Sequence, residues 1–305
     1  MSFVKSVRKN THKLLSCIVG GVYKFLVKVK LFSPKVIVYI DGGICSQMHQ
    51  YLIGKIYEDK GCDVYYDLKW FSNYGMDVDG KYERIYELER AFPYLLVKRT
   101  SSFTEWFYRF FLCYTSIQME LPFLNENDSV SPVYLGGYYS IPHDRFVTLF
   151  KQTFQVQSDV VNAAEGCSVI CAIHVRRGDL AKGDNPFYGG CADSYFYNAI
   201  SYVQANYTNV SYLFFSDEMD YVINNLMPNL QHLNCQIASP KRAYEDLLEM
   251  AKCDIIIASQ GSFGKFAAMF NDNSLLILKN QDKDPYKQYK TEWDIRKSKL
   301  VYISE

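Results

Sequence analysis

The sequence predicts an α/β protein of two domains, each built on a mostly parallel sheet, that face each other across a cleft. Three observations predict this. Apolar runs of strand length alternate with helix-length segments, the pattern of parallel strands joined by crossover helices. Two such series occur, each opened by a glycine-containing turn. Two adjacent arginines, Arg176 and Arg177, stand where one apolar strand ends, and ligands of open α/β sheets bind outside the carboxyl ends of the strands.

The first 30 residues carry seven Lys or Arg and no acid. Their longest uncharged run, Leu14 to Tyr23, is shorter than the about 20 apolar residues a membrane span needs. No small-residue cleavage site is evident. Residues 1–33 are expected to form a basic amphipathic segment on an anionic membrane surface; a solvated or helix-packed tail is the competing reading.

Residues 34–158 form the first predicted domain. Lys35–Ile40 is a strand running into Asp41-Gly42-Gly43. A helix is predicted from about Gln47 to Asp59, closed by Lys60-Gly61, and a strand begins at Val64–Tyr66. Residues 83–117 read as mostly helical with a break at Pro93. Val133–Leu135 is a short strand before Gly136-Gly137. Residues 159–305 form the second domain, with strands at Ser168–Val175, Tyr212–Ser216, Asp254–Ala258 and Leu275–Lys279. Helices are predicted at Ser194–Ala205, Ala243–Lys252 and Ser262–Phe270. Both domains read as Rossmann-like.

Composition excludes some classes. Of the 305 residues, 33 are basic and 33 acidic, so the global charge signal of a nucleic-acid binder is missing. The 26 Tyr and 20 Phe suit sugar-contacting surfaces and plain cores equally. The nine cysteines show no CxxC pair and no His/Cys ligand spacing, so no metal site is expected. Cys171 and Cys253 read as small core residues, and a reducing compartment is expected. Sequons at Asn127, Asn206 and Asn209 matter only in a secreted chain.

Three constellations carry chemistry. The first is His174, Arg176, Arg177 and Asp179. Guanidinium is a planar, permanently charged fork suited to phosphate oxygens, so two at a strand end suggest a bound diphosphate. Asp179 is placed to hold one of them. A solvated strand end, a plain Arg–Asp pair and an adhesive Arg-Gly-Asp loop are the alternatives; an apolar strand running into the motif argues against the last. The second spans Asp246, Met250, Cys253 and Ala258-Ser259-Gln260-Gly261-Ser262-Phe263. Here a strand turns through small residues into a helix N-terminus suited to phosphate, with Ser262 as the expected cap; an ordinary βα loop is the bland reading. The third is Gly42-Gly43 through Gln47, His49 and Tyr51, a glycine turn without the dinucleotide fingerprint. Asp77-Val78-Asp79 reads as a surface turn. Asp217 ends a strand, as a ligand residue or a helix cap.

These motifs resemble the α-1,2-fucosyltransferases, family 11 of the glycosyltransferases. His174-Val175-Arg176-Arg177-Gly178-Asp179 looks like the family's His-x-Arg-Arg-x-Asp signature. Gly42-Gly43 through Gln47-Met48 and Gln50-Tyr51 is similar to its opening Gly-Gly-Leu-Gly-Asn-Gln-Met-Phe-Gln-Tyr. Phe214-Phe215-Ser216-Asp217 matches its Phe-Ser-Asp block, and Asp246 through Phe263 its Asp…Met…Cys…Asn-Ser-Ser-Phe block. Departures stand at Cys45, Ser46 and His49 (Gly, Asn and Phe in the family), at Gln260 and Gly261 (Asn and Ser), and at Gly264, Lys265 and Phe266 (Ser, Trp and Trp).

The resemblance implies a GT-B architecture and inverting transfer of fucose from GDP-β-L-fucose to the 2-OH of a terminal galactoside. It implies no metal or other cofactor, and a role in surface polysaccharide or O-antigen synthesis. Arg176 and Arg177 would be catalytic. His174, Asp179, Asp217, Asp246, Ser262 and Phe263 would bind the donor, and Gly42, Gly43, Gln47 and His49 would lie on the acceptor side. Asp41 and His49 are the candidate bases. A cytoplasmic location is expected, with peripheral contact at the inner face of the membrane. Another linkage, another GDP-sugar, or a non-catalytic nucleotide- or carbohydrate-binding protein are the alternatives.

Overall fold

A long helix, α1 (Ser2–Lys28), precedes the first sheet. The computed structural model describes residues 2–76, 83–114, 121, 130–137, 139, 141, 143–156, 169–178, 190–239, 241–259, 261–280 and 299–305. The chain divides into two units. The first holds residues 1–76 and 82–153, the second residues 154–305 with 77–81.

The first unit continues with β1 (Lys35–Tyr39), α2 (Ile44–Asp59), β2 (Asp63–Asp67), α3 (Lys69–Asn73) and α4 (Leu88–Ala91). Then come α5 (Ser102–Phe111), β3 (Cys113–Tyr114), β4 (Val133–Leu135) and α6 (His143–Thr153). The four strands are parallel in the order β2-β1-β4-β3. Val36, Ile37 and Val38 of β1 are buried, as a strand covered on both faces requires. Helix α2 begins at Ile44, three residues ahead of the sequence expectation, because Gly43 supplies an extended cap position.

Residues 83–117 depart from the helical expectation. Among the described residues there only α4 and α5 are helical, and the chain between them runs beside β2, with a parallel bridge from Arg99 to Tyr66. The Tyr66 N–H donates to the Lys98 carbonyl (2.8 Å) and the Thr100 N–H to the Tyr66 carbonyl (3.3 Å). Pairing the outer edge of β2 in this way satisfies backbone groups that a continuous helix would leave open.

The second unit holds β5 (Val169–Val175), α7 (Asp193–Asn206), β6 (Val210–Ser216), α8 (Met219–Tyr221), β7 (Asn234–Ile237) and α9 (Ala243–Met250). β8 (Ile255–Ala258), α10 (Phe263–Phe270), β9 (Leu275–Lys279) and β10 (Leu300–Ile303) complete it. All six strands are parallel, in the order β10-β9-β8-β5-β6-β7. Read from the β7 edge, this is the 3-2-1-4-5-6 order of a doubly wound sheet, whose direction of winding reverses between its first and fourth strands. Those strands are β5 and β8. The α/β class with two parallel-sheet units is what the sequence leads one to expect. The edge strands β7 and β10 escape sequence reading because neither is a buried apolar run.

Packing at the β8–α10 corner is tight. A Cβ on Gly264 would lie 2.5 Å from the Ala258 Cβ, so helix and strand approach as closely as they do only through glycine. Tyr195 of α7 is fully buried, its hydroxyl 2.8 Å from the Ala258 carbonyl and 3.1 Å from that of Ile277. It anchors α7 to the carboxyl end of β8 and the middle of β9.

Gly264→Ala is expected to destabilise the second unit by about 1–3 kcal/mol through overpacking, measured by urea denaturation. Gly21→Ala, where a Cβ meets nothing within 4 Å, is the control and leaves stability unchanged or slightly raised.

Candidate functional site

The carboxyl ends of β5 and β8 are joined by one serine. The Ser259 N–H donates to the His174 carbonyl (3.0 Å), carrying the β5–β8 ladder one step beyond β8. The Ser259 Oγ accepts from the Arg176 N–H (3.0 Å) and lies 3.0 Å from the His174 Nδ1. His174 is buried, and its ring stacks on Phe263 at 5.0 Å and 24°. Burial, then the neighbouring Arg176 charge, pushes its pKa down to about 3. The imidazole is therefore neutral at ordinary pH and braces the turn without adding charge.

Gly261 opens the turn into α10 with φ +107°, a conformation suited to glycine. The Arg176 Nη1 lies 3.8 Å from where its Cβ would stand, and the Arg176 Cδ 4.0 Å. Arg176 is thus laid along the β8–α10 turn at the point where the sheet reverses winding. Ser262, expected as a side-chain cap, occupies the cap position with helical backbone angles (φ −89°, ψ −20°) and makes no cap hydrogen bond. A cap side chain reaches the free N–H groups from an extended backbone, and Gly261 has already turned the chain.

Arg177 goes the other way. Its N–H donates to the Asp217 Oδ1 (2.9 Å), beyond the end of β6. Its guanidinium carbon sits 3.5 Å from the centre of the Tyr221 ring, and its Nε is 4.0 Å from a Glu218 carboxylate oxygen. Tyr221 in turn donates to Asp193 (2.5 Å) at the start of α7. The backbone N–H groups of the two arginines thus go to opposite neighbours, that of Arg176 to Ser259 beyond β8 and that of Arg177 to Asp217 beyond β6.

Asp217 is raised above the usual carboxylate range by burial, against the Arg177 N–H and the Arg176 charge that favour its ionised form. Asp246 stands on α9, with its Oδ1 buried and without a hydrogen-bond partner. Burial, then Glu249, raises its pKa to about 6. Asp179, like Asp77 and Asp79, lies outside the described residues. Among the described residues no group of three or more His, Cys, Asp or Glu is placed to hold a metal ion.

In the first unit, Gly42 has φ +71° and Gly43 caps α2. Gln47 is fully buried. Its Nε2 donates to the Gly42 and Ile85 carbonyls (3.0 and 2.9 Å), and its Oε1 accepts from the Glu87 N–H (2.9 Å). His49, expected on the acceptor side, is a core residue. Its Nε2 is 2.7 Å from the Tyr139 carbonyl, which only accepts, so Nε2 carries the proton. Burial lowers its pKa, and its ring packs on Phe146. Both side chains are turned inward because α2 is buried along most of its length.

Sequence reasoning passed over Gln50. Its Nε2 donates to the Asp41 Oδ1 (2.7 Å) and its Oε1 accepts from the Asp41 N–H (2.9 Å), fixing Asp41 at the carboxyl end of β1. The signal was present: Gln47 and Gln50 are three residues apart on one buried helix. Tyr39, Tyr134 and Arg109 were also missed. The Arg109 guanidinium lies 5.9 Å from the Tyr39 ring centre, and the Tyr134 hydroxyl donates to Asp67 (2.9 Å). Burial, then Asp41, pushes the Tyr39 phenol up to about 12.

A six-stranded parallel sheet that reverses its winding between β5 and β8 defines a protein of the doubly wound, Rossmann-like α/β class. The chain belongs to glycosyl transferase family 11, whose family model matches residues 137–304, more than half of its length. No curated protein matches it. Among solved structures, it is similar to POFUT1 in complex with GDP, at 13% identity and TM-score 0.41 over 88% of this chain and 98% of that one. It is also similar to UDP-GlcNAc 2-epimerase from Neisseria meningitidis bound to UDP-GlcNAc, at 10% identity and TM-score 0.33 over 92% of this chain and 67% of that one.

The depressed His174 pKa has a defined sign. With a folded pKa near 3 and an ordinary value of 6.5, the unfolded chain binds the extra proton first. The contribution is complete above about pH 6.5 and is lost as pH falls toward 3. His174→Gln is expected to flatten this part of the stability–pH curve, measured by urea denaturation at pH 7, 6 and 5. An unchanged slope relative to the parent would show that His174 is not held neutral.

Proposed function

We propose that this glycosyltransferase moves L-fucose from GDP-β-L-fucose to the 2-OH of a terminal galactoside, with inversion and without a metal ion, in the synthesis of surface polysaccharide. The observation that carries the reading is Arg176, laid against Gly261 at the winding reversal between β5 and β8. Family membership supplies the sugar-transfer class, and the family resemblance of the four motifs supplies the fucosyl donor.

The chemistry follows from the charges. The bond from the fucose anomeric carbon to the diphosphate oxygen breaks, and its electron pair goes to the departing GDP. The acceptor oxygen forms its bond to the anomeric carbon from the opposite face and gives up a proton. Arg176 meets the negative charge that grows on the diphosphate, a stabilisation fixed in place before the reaction. The N-terminus of α10 and the backbone at Gly261 add donors of the same sign.

His174, Ser259 and Phe263 hold the Arg176 turn rather than touch the reacting bond. The buried and unpartnered Oδ1 of Asp246 is an acceptor suited to an N–H or O–H of the guanosine. Arg177, flat on Tyr221, positions the β6 end and is the lesser of the two arginines. Of the two side chains expected to take the acceptor proton, the buried His49 is spent on the Tyr139 carbonyl, which leaves Asp41.

Arg176→Ala is expected to lower kcat by about 10²–10³ with the fold intact. Arg177→Lys keeps the charge and loses the flat stack, and is expected to cost about 2- to 30-fold. Transfer to a terminal galactoside, read by mass spectrometry with the linkage assigned by NMR, checks both. Retained turnover in Arg176→Ala refutes the assignment, and a product linked at another hydroxyl corrects the acceptor. Activity is expected to persist undiminished in EDTA; a strict Mg²⁺ or Mn²⁺ requirement overturns the metal-free reading.

A further inference from the structure

Helix α1 has three distinct sides along its described second half. One side docks on α5. A Cβ on Gly20 would lie 3.0 Å from the Phe111 carbonyl, the Tyr23 hydroxyl meets that of Tyr108 at 3.0 Å, and Val27 is buried. The Tyr23 ring packs edge-on against Phe107 and Tyr108 at 5.8 and 5.9 Å. The helix is therefore fixed to the first unit.

The second side is apolar and uncovered. Leu14, Ile18, Val22 and Phe25 recur at four- and three-residue spacing, the stripe of an amphipathic helix, and they are 62%, 55%, 56% and 61% exposed. Leu15, Leu31 and Phe32 are exposed beside them. A helix of a globular protein turns such a stripe into the core; here the core takes Gly20, Tyr23 and Val27 instead. The third side carries Lys24 and Lys28, both exposed, with Lys30 beyond. In sequence, Lys5, Arg8, Lys9 and Lys13 precede them, and no acid occurs before Asp41.

The apolar area does not stop at α1. Phe103 and Trp106 of α5 are 73% and 52% exposed. Ring contacts run without a gap from Phe103 to Trp106, Phe110, Phe111 and Phe107, then to Tyr23 and the exposed Phe32 of the α1 side. Amphipathic aromatic rings and long basic side chains are the groups that settle at a lipid–water interface.

We propose that α1 and the Phe103–Trp106 end of α5 form one membrane-docking surface for an anionic bilayer. The helix lies in the plane of the interface, with Leu14, Ile18, Val22 and Phe25 among the acyl chains and the lysines at the headgroups. The charge selects the occupant: a segment with seven Lys or Arg and no acid in 30 residues repels a second copy of itself and matches phosphatidylserine or phosphatidylglycerol headgroups. Among the described residues no helix is long and apolar enough to cross a membrane, so this contact is a peripheral one.

The test is sedimentation of the full chain with vesicles of pure phosphatidylcholine and of phosphatidylcholine with phosphatidylglycerol. Binding is expected to the anionic vesicles only. Ile18→Glu with Phe25→Glu is expected to lower partitioning by at least about tenfold, and Lys24→Gln with Lys28→Gln by about 25-fold, from roughly fivefold per charge. All four positions are exposed, so circular dichroism and the thermal midpoint are expected to match the parent. The emission of Trp106, isolated by comparison with Trp106→Phe, is expected to shift to the blue on binding. Equal uptake by neutral and anionic vesicles, or unchanged uptake by the Ile18/Phe25 variant, overturns the proposal. A stationary Trp106 emission overturns the α5 part of the surface. A dimer in light scattering that the Ile18/Phe25 variant abolishes, with no vesicle uptake, overturns it in favour of a second copy of this chain.

Discussion

The second unit depends on the join that Ser259 makes between the ends of β5 and β8. Three polar contacts converge on this buried residue: its N–H on the His174 carbonyl, its hydroxyl beside the His174 ring, and the Arg176 N–H on that hydroxyl. Each partner is a group that is costly to bury unpaired. The ladder proper ends at Ala258, so without the serine two strands would diverge with open backbone groups at the place where the winding reverses. With it, the last turn of β5 is set, and the direction of Arg176 is set with it. His174 fits this role because it is neutral. A protonated imidazole here would meet the Arg176 charge in a buried setting, and both effects act in the same direction on its pKa.

Dividing the two arginines has a structural consequence of its own. Arg177 ties the end of β5 to β6 through Asp217, and its stack on Tyr221 continues through Asp193 to the start of α7. The other arginine faces the β8–α10 turn. A guanidinium pair aimed at one point would face like-charge repulsion at short range before any anion arrived. Arg177 sits on an aromatic face beside a carboxylate, while Arg176 lies by the turn into α10, whose N-terminus has the same sign and favours an anion there. Arg177 is thereby built into the β5–β6–α7 framework, while the Arg176 side chain lies against the β8–α10 turn.

Much of this was legible in the sequence, and the reasons are local. The run from Ser168 to Val175, ending in two arginines, is a buried strand on composition alone, and β5 follows it closely. Ala258 to Phe263 reads as strand, small-residue turn and helix, which is how it folds. What the sequence left open depends on which neighbour a residue meets. His49 sits in a turn-to-helix segment that looks like a ligand loop, yet the helix begins at Ile44 and is buried on nearly every side, so the ring ends in the core. The strand β7 is exposed and polar enough to carry no period. Its existence is dictated by the open edge of β6, a long-range fact. The partners of the Arg176 and Arg177 N–H groups, on opposite sides of β5, likewise follow from strand order, which no local window contains.

The departures from the family pattern can be weighed on the same physical footing. Gly261 stands where the family places Ser, and its φ of +107° is one that side chains rarely adopt. Glycine there lets the turn fold back until the Arg176 side chain lies 3.8 Å from the missing Cβ. Gly264, also a departure from Ser, removes a methylene that would press on Ala258 at 2.5 Å. The two changes act together: the first bends the chain sharply after β8, and the second lets α10 come down onto that strand. A side chain at position 264 would press on Ala258, whereas at position 261 the space is open to ordinary contact and the positive φ is what favours glycine. The bend at Gly261 also leaves Ser262 with helical backbone angles, from which its side chain makes no cap hydrogen bond.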